Sequence, residues 1–200
     1  ESRRFVEIGV QDGRECNTLA LLMQGWRGVW IEASASHVAD ARRIFAQLTG
    51  ESRLDIREAF VTAENAAALV GEGPLDLLSI DIDGNDWHVW NALAVRPRAV
   101  VVEYNASWAP PIDAVMAYQP DYAWSDHGDN RAGASLCAFA RLGAAKGYAL
   151  VGCSASGVNA FFVRADLAEG RFLAPFDAAA HFEPPRYFLH NLHRGHRPGF

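Results

Sequence analysis

Cysteine is scarce in this chain, basic charge is outweighed, and long apolar runs are missing. Each deficit closes off a class of function. Cys16, Cys137 and Cys153 stand apart with no CxxC spacing, which argues against a disulfide framework or a cysteine metal site. Reduced thiols in or near the core of a cytoplasmic protein are expected instead. Asp and Glu outnumber Lys and Arg by 24 to 18, a net charge of −6, whereas a general nucleic-acid binder would show a basic face. No apolar run approaches the roughly 18 residues needed to cross a bilayer. No signal peptide is visible either, since ESRRFVEIG runs straight into a strand. That abrupt start is what a fragment, or a chain lacking an N-terminal portion, would show. The GxGxxG fingerprint of dinucleotide binders is absent, as are internal repeats and low-complexity segments.

What is present is a core. Half of the 200 residues are hydrophobic and 21% are charged, enough for one full α/β domain and short for two. Four apolar runs carry an acid at or near their ends: FVEIG (Glu7), GVWIEAS (Glu32), LDLLSIDID (Asp81, Asp83) and AVVVEYN (Glu103). Unbroken Val/Ile/Leu runs read as parallel strands covered on both faces. Ligands of open α/β sheets lie outside the carboxyl ends of such strands. The pattern predicts strands at 5–9, 28–33, 53–61, 75–81 and 98–104. Helical segments at 17–24, 37–48, 63–70 and 87–93 alternate with them, implying βαβ units and a parallel sheet. A further amphipathic helix over 133–146 is followed by strands at 148–153 and 160–164. The link Ser154-Ala155-Ser156-Gly157 reads as a hairpin turn, so these last strands are expected to be antiparallel.

Three constellations carry chemistry. In Glu7-Ile8-Gly9-Val10-Gln11-Asp12-Gly13, glycines after the first strand let backbone approach a ligand closely. Glu32 ends the second strand 19 residues after Gly13, where an acid can accept both ribose hydroxyls of an adenosine-containing cofactor. In Ile80-Asp81-Ile82-Asp83-Gly84-Asn85-Asp86, three carboxylates crowd the end of a buried strand. They repel one another unless something positive sits among them, and Mg²⁺ or Ca²⁺ favours such oxygen clusters. Glu103 and Asn105, ending the neighbouring strand, complete a candidate shell of Asp81, Glu103 and Asn105. Asp83 and Asp86 are alternatively caps for the following helix. The third constellation is the stretch from Asn105 to Arg131, with Trp108, Pro110, Pro111, Tyr118, Tyr122, Trp124 and His127. It is longer than the roughly 15 residues at which structureless loops become uncommon. Its aromatics suit a wall for a sugar ring or a satellite core.

With these residues in order, the chain resembles a class I S-adenosylmethionine-dependent methyltransferase over nearly its whole length. The resemblance implies a Rossmann-like, seven-stranded, mostly parallel sheet with an antiparallel C-terminal hairpin and helices on both faces. It further implies that Glu7, Gly9, Gly13 and Asp81 line the methionine and ribose end of the cofactor. Glu32, with the adjoining Ala33, would hold the ribose, and Phe60 would lie against adenine. Within that group, IDIDGNDWHVWNAL followed by VVVEYN resembles the FkbM type, which implies methylation of hydroxyls on sugars or natural products. The similarity to cation-dependent O-methyltransferases is more distant. Gly84 stands where those enzymes often carry a lysine, so a lysine-base mechanism does not transfer.

The expected reaction is O-methyl transfer, assisted by a divalent cation, with His127 and Asp83 as catalytic candidates. His88 is a competitor for the base, and Asn159, entering the last strand, is placed near the same mouth. Two alternatives stand beside it: a catalytically silent methyltransferase-like binding or oligomerisation module, and a nucleotide-dependent enzyme on a related sheet. Residues 1–167 are expected to form the domain. Residues 168–200 form a C-terminal extension that packs on it or on a partner subunit. Its locally basic end, with His190, His193 and His196, reads as a solvated tail. The expected partner is a small hydroxylated molecule, not a membrane or nucleic acid, with a homo-oligomer as the alternative to a monomer.

Overall fold

The computed structural model describes residues 2–124 and 131–186. Seven strands form one sheet: β1 (Arg4–Ile8), β2 (Arg27–Glu32), β3 (Leu54–Glu58), β4 (Leu77–Ile80), β5 (Ala99–Glu103), β6 (Tyr148–Cys153) and β7 (Asn159–Arg164). Their spatial order is β3-β2-β1-β4-β5-β7-β6. Strands β1 to β5 pair in parallel, and β7 runs antiparallel to both of its neighbours. The hairpin is therefore antiparallel as expected, but β7 inserts between β5 and β6, so that β7 alone is reversed. The strand order turns back between β1 and β4, and in open α/β sheets such a switch point opens the ligand crevice.

Alternation along each strand sends successive side chains to opposite faces. Val6, Ile8, Leu78, Ile80, Val100 and Val102 enter the larger core, together with Val89, Trp90, Phe139 and Leu142 of the helices above. Phe5 and Trp30 face the other way, against Leu22, Val38 and Ala41. On the first face lie α4 (Ala66–Val70), α5 (Asp86–Ala92) and α6 (Leu136–Ala145), and on the second α1 (Leu19–Met23) and α2 (Ala35–Ile44). Trp90 sits at the centre of the larger core, 4.9 Å from the Phe162 ring and 5.9 Å from Tyr148.

The helix expected over 37–48 is two pieces, α2 and α3 (Ala46–Gly50), broken at Phe45, whose ring turns in to meet Trp30 edge-on at 4.9 Å. After β7, α7 (Ala165–Ala168) and α8 (Ala178–His181) lead to a segment that returns to the hairpin turn. There Arg186 N–H donates to Ser156 O at 2.7 Å, and Tyr104 Oη donates to Glu183 O at 2.6 Å. No helix among the described residues is long and apolar enough to cross a membrane. The three cysteines are free thiols, and burial raises Cys16 and Cys153 to about 12, which leaves them unreactive.

Candidate active-site cleft

A cavity of about 1010 Å³ opens at the carboxyl ends of β1 to β5. Gly9, Gln11, Glu32, Ala33, Phe60, Asp81, Asp83 and Glu103 all line it. Most of the candidates chosen from sequence are therefore brought to one cleft. Glu7, Gly13 and Asn105 do not line it, each for a physical reason.

Glu7 lies beneath the cleft, 1% exposed, and its carboxylate is filled by donors. Asn17 N–H and Thr18 N–H reach it at 2.7 and 2.9 Å, the Thr18 hydroxyl at 2.5 Å and the Ser79 hydroxyl at 3.3 Å. Burial raises its pKa and these donors oppose the rise. Glu7 thus ties the entry of α1 to β1 and β4 and is not free to hold a cofactor. Gly13 adopts φ +82, and a Cβ there would stand 2.5 Å from the Trp30 ring. Its glycine is required by packing under Trp30, not by ligand approach. Asn105 turns toward its own loop: Nδ2 donates to Ala132 O at 2.9 Å, and Oδ1 accepts from Ser107 N–H at 3.0 Å.

Gly9 does stand on the cleft wall, and for a steric reason. With φ +81, its Cβ position falls 1.6 Å from the carbonyl oxygen of Asp81. The turn after β1 is thereby pressed against the end of β4, and only glycine fits. Gln11 next to it holds φ +50, an uncommon conformation for a non-glycine residue. Gln11 N–H donates to Glu32 Oε2 at 2.8 Å, while Ser34 N–H holds Oε1 at 2.8 Å. Glu32 is 9% exposed, so its carboxylate is fixed in orientation with lone pairs turned to the cavity. Phe60 is 44% exposed on the same wall. Neither Gln11 nor Ser34 stood out in the sequence, because their contribution is a backbone N–H.

The other half of the cleft is a carboxylate cluster. Oxygens of Asp81, Asp83 and Glu103 lie within 4.8 Å of one another. Burial, then the charges of Asp86 and Asp83, push Asp81 up to about 8. Burial, then Asp81, holds Glu103 well above the usual carboxylate range. Asp83 has φ +58, a strained conformation of the kind held at functional sites. Asp86 belongs to the architecture: it accepts from Ile82 N–H and Gly84 N–H at 2.8 and 2.9 Å and locks the turn that presents Asp83. Three carboxylate oxygens at this spacing suit a hard divalent cation.

Residues 105–124, which follow β5, fold back as a roof. His88 Nε2 meets Met116 O at 2.9 Å, Asn85 Nδ2 donates to Gln119 O at 2.7 Å, and the Tyr118 hydroxyl receives Ala63 N–H at 3.1 Å. His88 is thus a roof anchor, its ring 5.1 Å from Tyr118, and is removed from the candidate bases. Tyr122 and Trp124 face the cavity. His127 and the histidines at 190, 193 and 196 lie outside the described residues.

No family model matches the sequence, and no curated protein matches it. Solved structures share its fold. The N-terminal domain of EvdMO1, solved with SAH bound, is 17% identical with a TM-score of 0.51, over 80% of this chain and 72% of that one. WbdD is 18% identical with a TM-score of 0.50, over 81% of this chain and 36% of that one. An O-methyltransferase from Bacillus cereus in complex with SAH is 24% identical over 52% of this chain, with a TM-score of 0.43. The match spans 50% of the length of that Bacillus protein. At these identities the likeness is one of architecture. The chain has the Rossmann-like methyltransferase fold.

Proposed function

We propose that this chain binds S-adenosylmethionine and transfers its methyl group to a hydroxyl oxygen of a small substrate, a sugar or natural product, with a divalent cation at the acid cluster. The observation that carries the reading is the division of one cleft. A pre-oriented ribose-type acid, Glu32, stands on one side, and a cluster of acids stands on the other. The charge of the lining supports it. Asp12, Glu15, Glu32, Asp40, Asp81, Asp83 and Glu103 face the cavity, against Arg14 and His37. A sulfonium and an ammonium group are welcome there, whereas the pyrophosphate of a dinucleotide would be repelled. The FkbM-type resemblance of the Ile80–Leu93 stretch favours a hydroxyl acceptor.

The residues then have separable tasks. The Gly9–Gln11 turn leaves room for the methionine portion. Glu32, already held by Gln11 and Ser34 N–H, would accept the two ribose hydroxyls without having to reorient, and the Phe60 ring would lie against adenine. Asp81, Asp83 and Glu103 would hold the cation, which would lower the pKa of the acceptor hydroxyl and fix its position. Transfer breaks the methyl carbon–sulfur bond, whose electron pair stays on sulfur, and forms a carbon–oxygen bond. The hydroxyl proton would pass to a base: His127 where Asp83 holds the cation, Asp83 or His127 where no cation is bound. Water exclusion and in-line alignment supply much of the rate.

Calorimetric titration with S-adenosylhomocysteine is the decisive test, with binding expected in the micromolar range. Absence of binding at millimolar ligand overturns the reading, and binding of NAD instead favours a nucleotide-dependent enzyme. Methyl transfer to a hydroxylated panel that is unchanged by EDTA removes the cation from the reading.

A further inference from the structure

Around the acid cluster the molecule is short of hydrogen-bond donors in a specific way. Among the described residues, the buried amide oxygens without a partner are Asn85 Oδ1 and Asn159 Oδ1. Both stand beside the cluster. Asn85 is 3% exposed and lines the same cavity as Asp81 and Asp83, with its Nδ2 committed to Gln119 O. Asn159 is the direct antiparallel partner of Glu103 in the β5–β7 ladder. Directly opposed residues share a face of the sheet, with Cβ atoms roughly 5 Å apart.

The orientation of the Asn159 amide is imposed by a chain of hydrogen bonds that starts at Glu7. The Ser79 hydroxyl donates to Glu7 Oε1 at 3.3 Å, so its oxygen accepts Asn17 Nδ2 at 3.1 Å. Asn17 Oδ1 is left to accept, and Asn159 Nδ2 donates to it at 3.3 Å. Reversing the Asn159 amide would set two carbonyl oxygens against each other. Its Oδ1 therefore stays on the side away from Asn17, and is shut off from bulk water. A buried acceptor left unpaired is costly. Two of them stand beside the carboxylates of Asp81, Asp83 and Glu103, whose oxygens lie within 4.8 Å of one another. A hydrated divalent cation satisfies such a set, through direct coordination or through water that it holds.

We propose that Asn159 supplies a neutral amide oxygen to the cation site formed by Asp81, Asp83 and Glu103, in the place expected of Asn105. The inference rests on the cation reading given above. A neutral ligand is the apt fourth member, because three carboxylates already exceed the charge of a divalent ion and a fourth would add repulsion. It also gives Glu7 a purpose beyond packing, since its carboxylate sets the direction in which the Asn159 oxygen points.

The test is Mn²⁺ binding, read by calorimetry and by electron paramagnetic resonance of free Mn²⁺, on the full chain without substrate. Asn159→Ala is expected to raise the Mn²⁺ Kd tenfold or more, while Asn105→Ala stays within twofold of wild type. S-adenosylhomocysteine affinity and melting temperature, measured on the same samples, report whether each variant is folded. Should Asn159→Ala fail to fold, wild-type protein labelled with ¹⁵N gives a second readout: Mg²⁺ is expected to shift the Asn159 side-chain amide resonance and leave that of Asn105 in place. An Asn159→Ala variant that binds Mn²⁺ like wild type, or an unmoved Asn159 resonance, overturns the proposal. Wild-type protein that binds S-adenosylhomocysteine but no Mn²⁺ overturns the cation site as a whole and leaves the cofactor reading standing.

Discussion

Glu7 and Asp81 stand at the carboxyl ends of adjacent strands, β1 and β4, and both are pushed toward the protonated form by burial. Their surroundings are opposite. Glu7 accepts from two backbone N–H groups and two hydroxyls. Asp81 faces Asp83 and Glu103 within 4.8 Å. An acid that the fold has surrounded with donors is part of the scaffold. An acid that the fold has surrounded with other acids is held in readiness for something from outside. The two kinds cannot be told apart by residue type or by position on the strand.

Substitutions can break this contrast, and the largest effect is expected where the two strands touch. Gly9→Ala places a methyl group 1.6 Å from the Asp81 carbonyl at a φ of +81. A loss of more than about 4 kcal/mol is expected, visible as insoluble protein or a collapsed melting temperature. A variant that melts like wild type would show that the two turns are not in contact. Next comes Glu7→Gln, which turns an NH₂ group toward donors that need an acceptor. Leaving buried groups unpaired costs about 1–3 kcal/mol each, so chemical denaturation should report a clear drop in stability. A midpoint that does not move would remove Glu7 from the scaffold class.

Asp81→Asn should do the reverse, stabilising the cation-free protein while abolishing methyl transfer. The sign follows from the shift. The folded-state pKa of about 8 lies above the 3.8 of an unfolded aspartate. The protonated form therefore favours the folded state, and that advantage, complete below pH 3.8, is lost as pH rises toward 8. Melting temperatures of cation-free wild type should fall across that window, and Asp81→Asn should flatten the fall. Equal slopes in the two proteins would mean that Asp81 titrates normally. The smallest effect belongs to Glu32→Gln. Its NH₂ replaces one oxygen that accepts from Gln11 or Ser34 N–H, so stability falls too, though by less than at Glu7 with its four donors, and charge-assisted bonds of about 1.5–3 kcal/mol to ribose hydroxyls are lost. S-adenosylhomocysteine affinity should drop by tenfold or more, with Mn²⁺ affinity unchanged, and unchanged affinity for both would move the ribose elsewhere.

The sheet was legible in the sequence because its signals are local. Tyr148–Cys153 forms β6 with the expected bounds, and the Ser154–Gly157 turn marks the hairpin. The insertion of β7 beside β5 was not legible, since it depends on pairing between segments far apart in the chain. In the cleft, Glu32 and the Asp81–Asp83 pair, which line the cavity, were legible because each sits at the end of an apolar run, whereas Phe60 came from the methyltransferase resemblance. Glu7 carried the same signal and a different role, which Asn17, Thr18 and Ser79 decide from other elements. Asn105 and Asn159 were both in view, and only the direction of their amides, set by Ala132 and by Asn17, separates them. His88 was misjudged because its partner, Met116 O, arrives from the roof.

The contact between Gly9 and the Asp81 carbonyl has an evolutionary consequence. The turn that borders the Glu32 side of the cleft and the strand end that carries the acid cluster are in direct contact, so neither drifts alone. Any side chain at Gly9 displaces Asp81 along with it, and the two halves of the cleft are kept or lost in a single mutational step. Descendants that keep this fold are therefore expected to keep this glycine even where the carboxylates change.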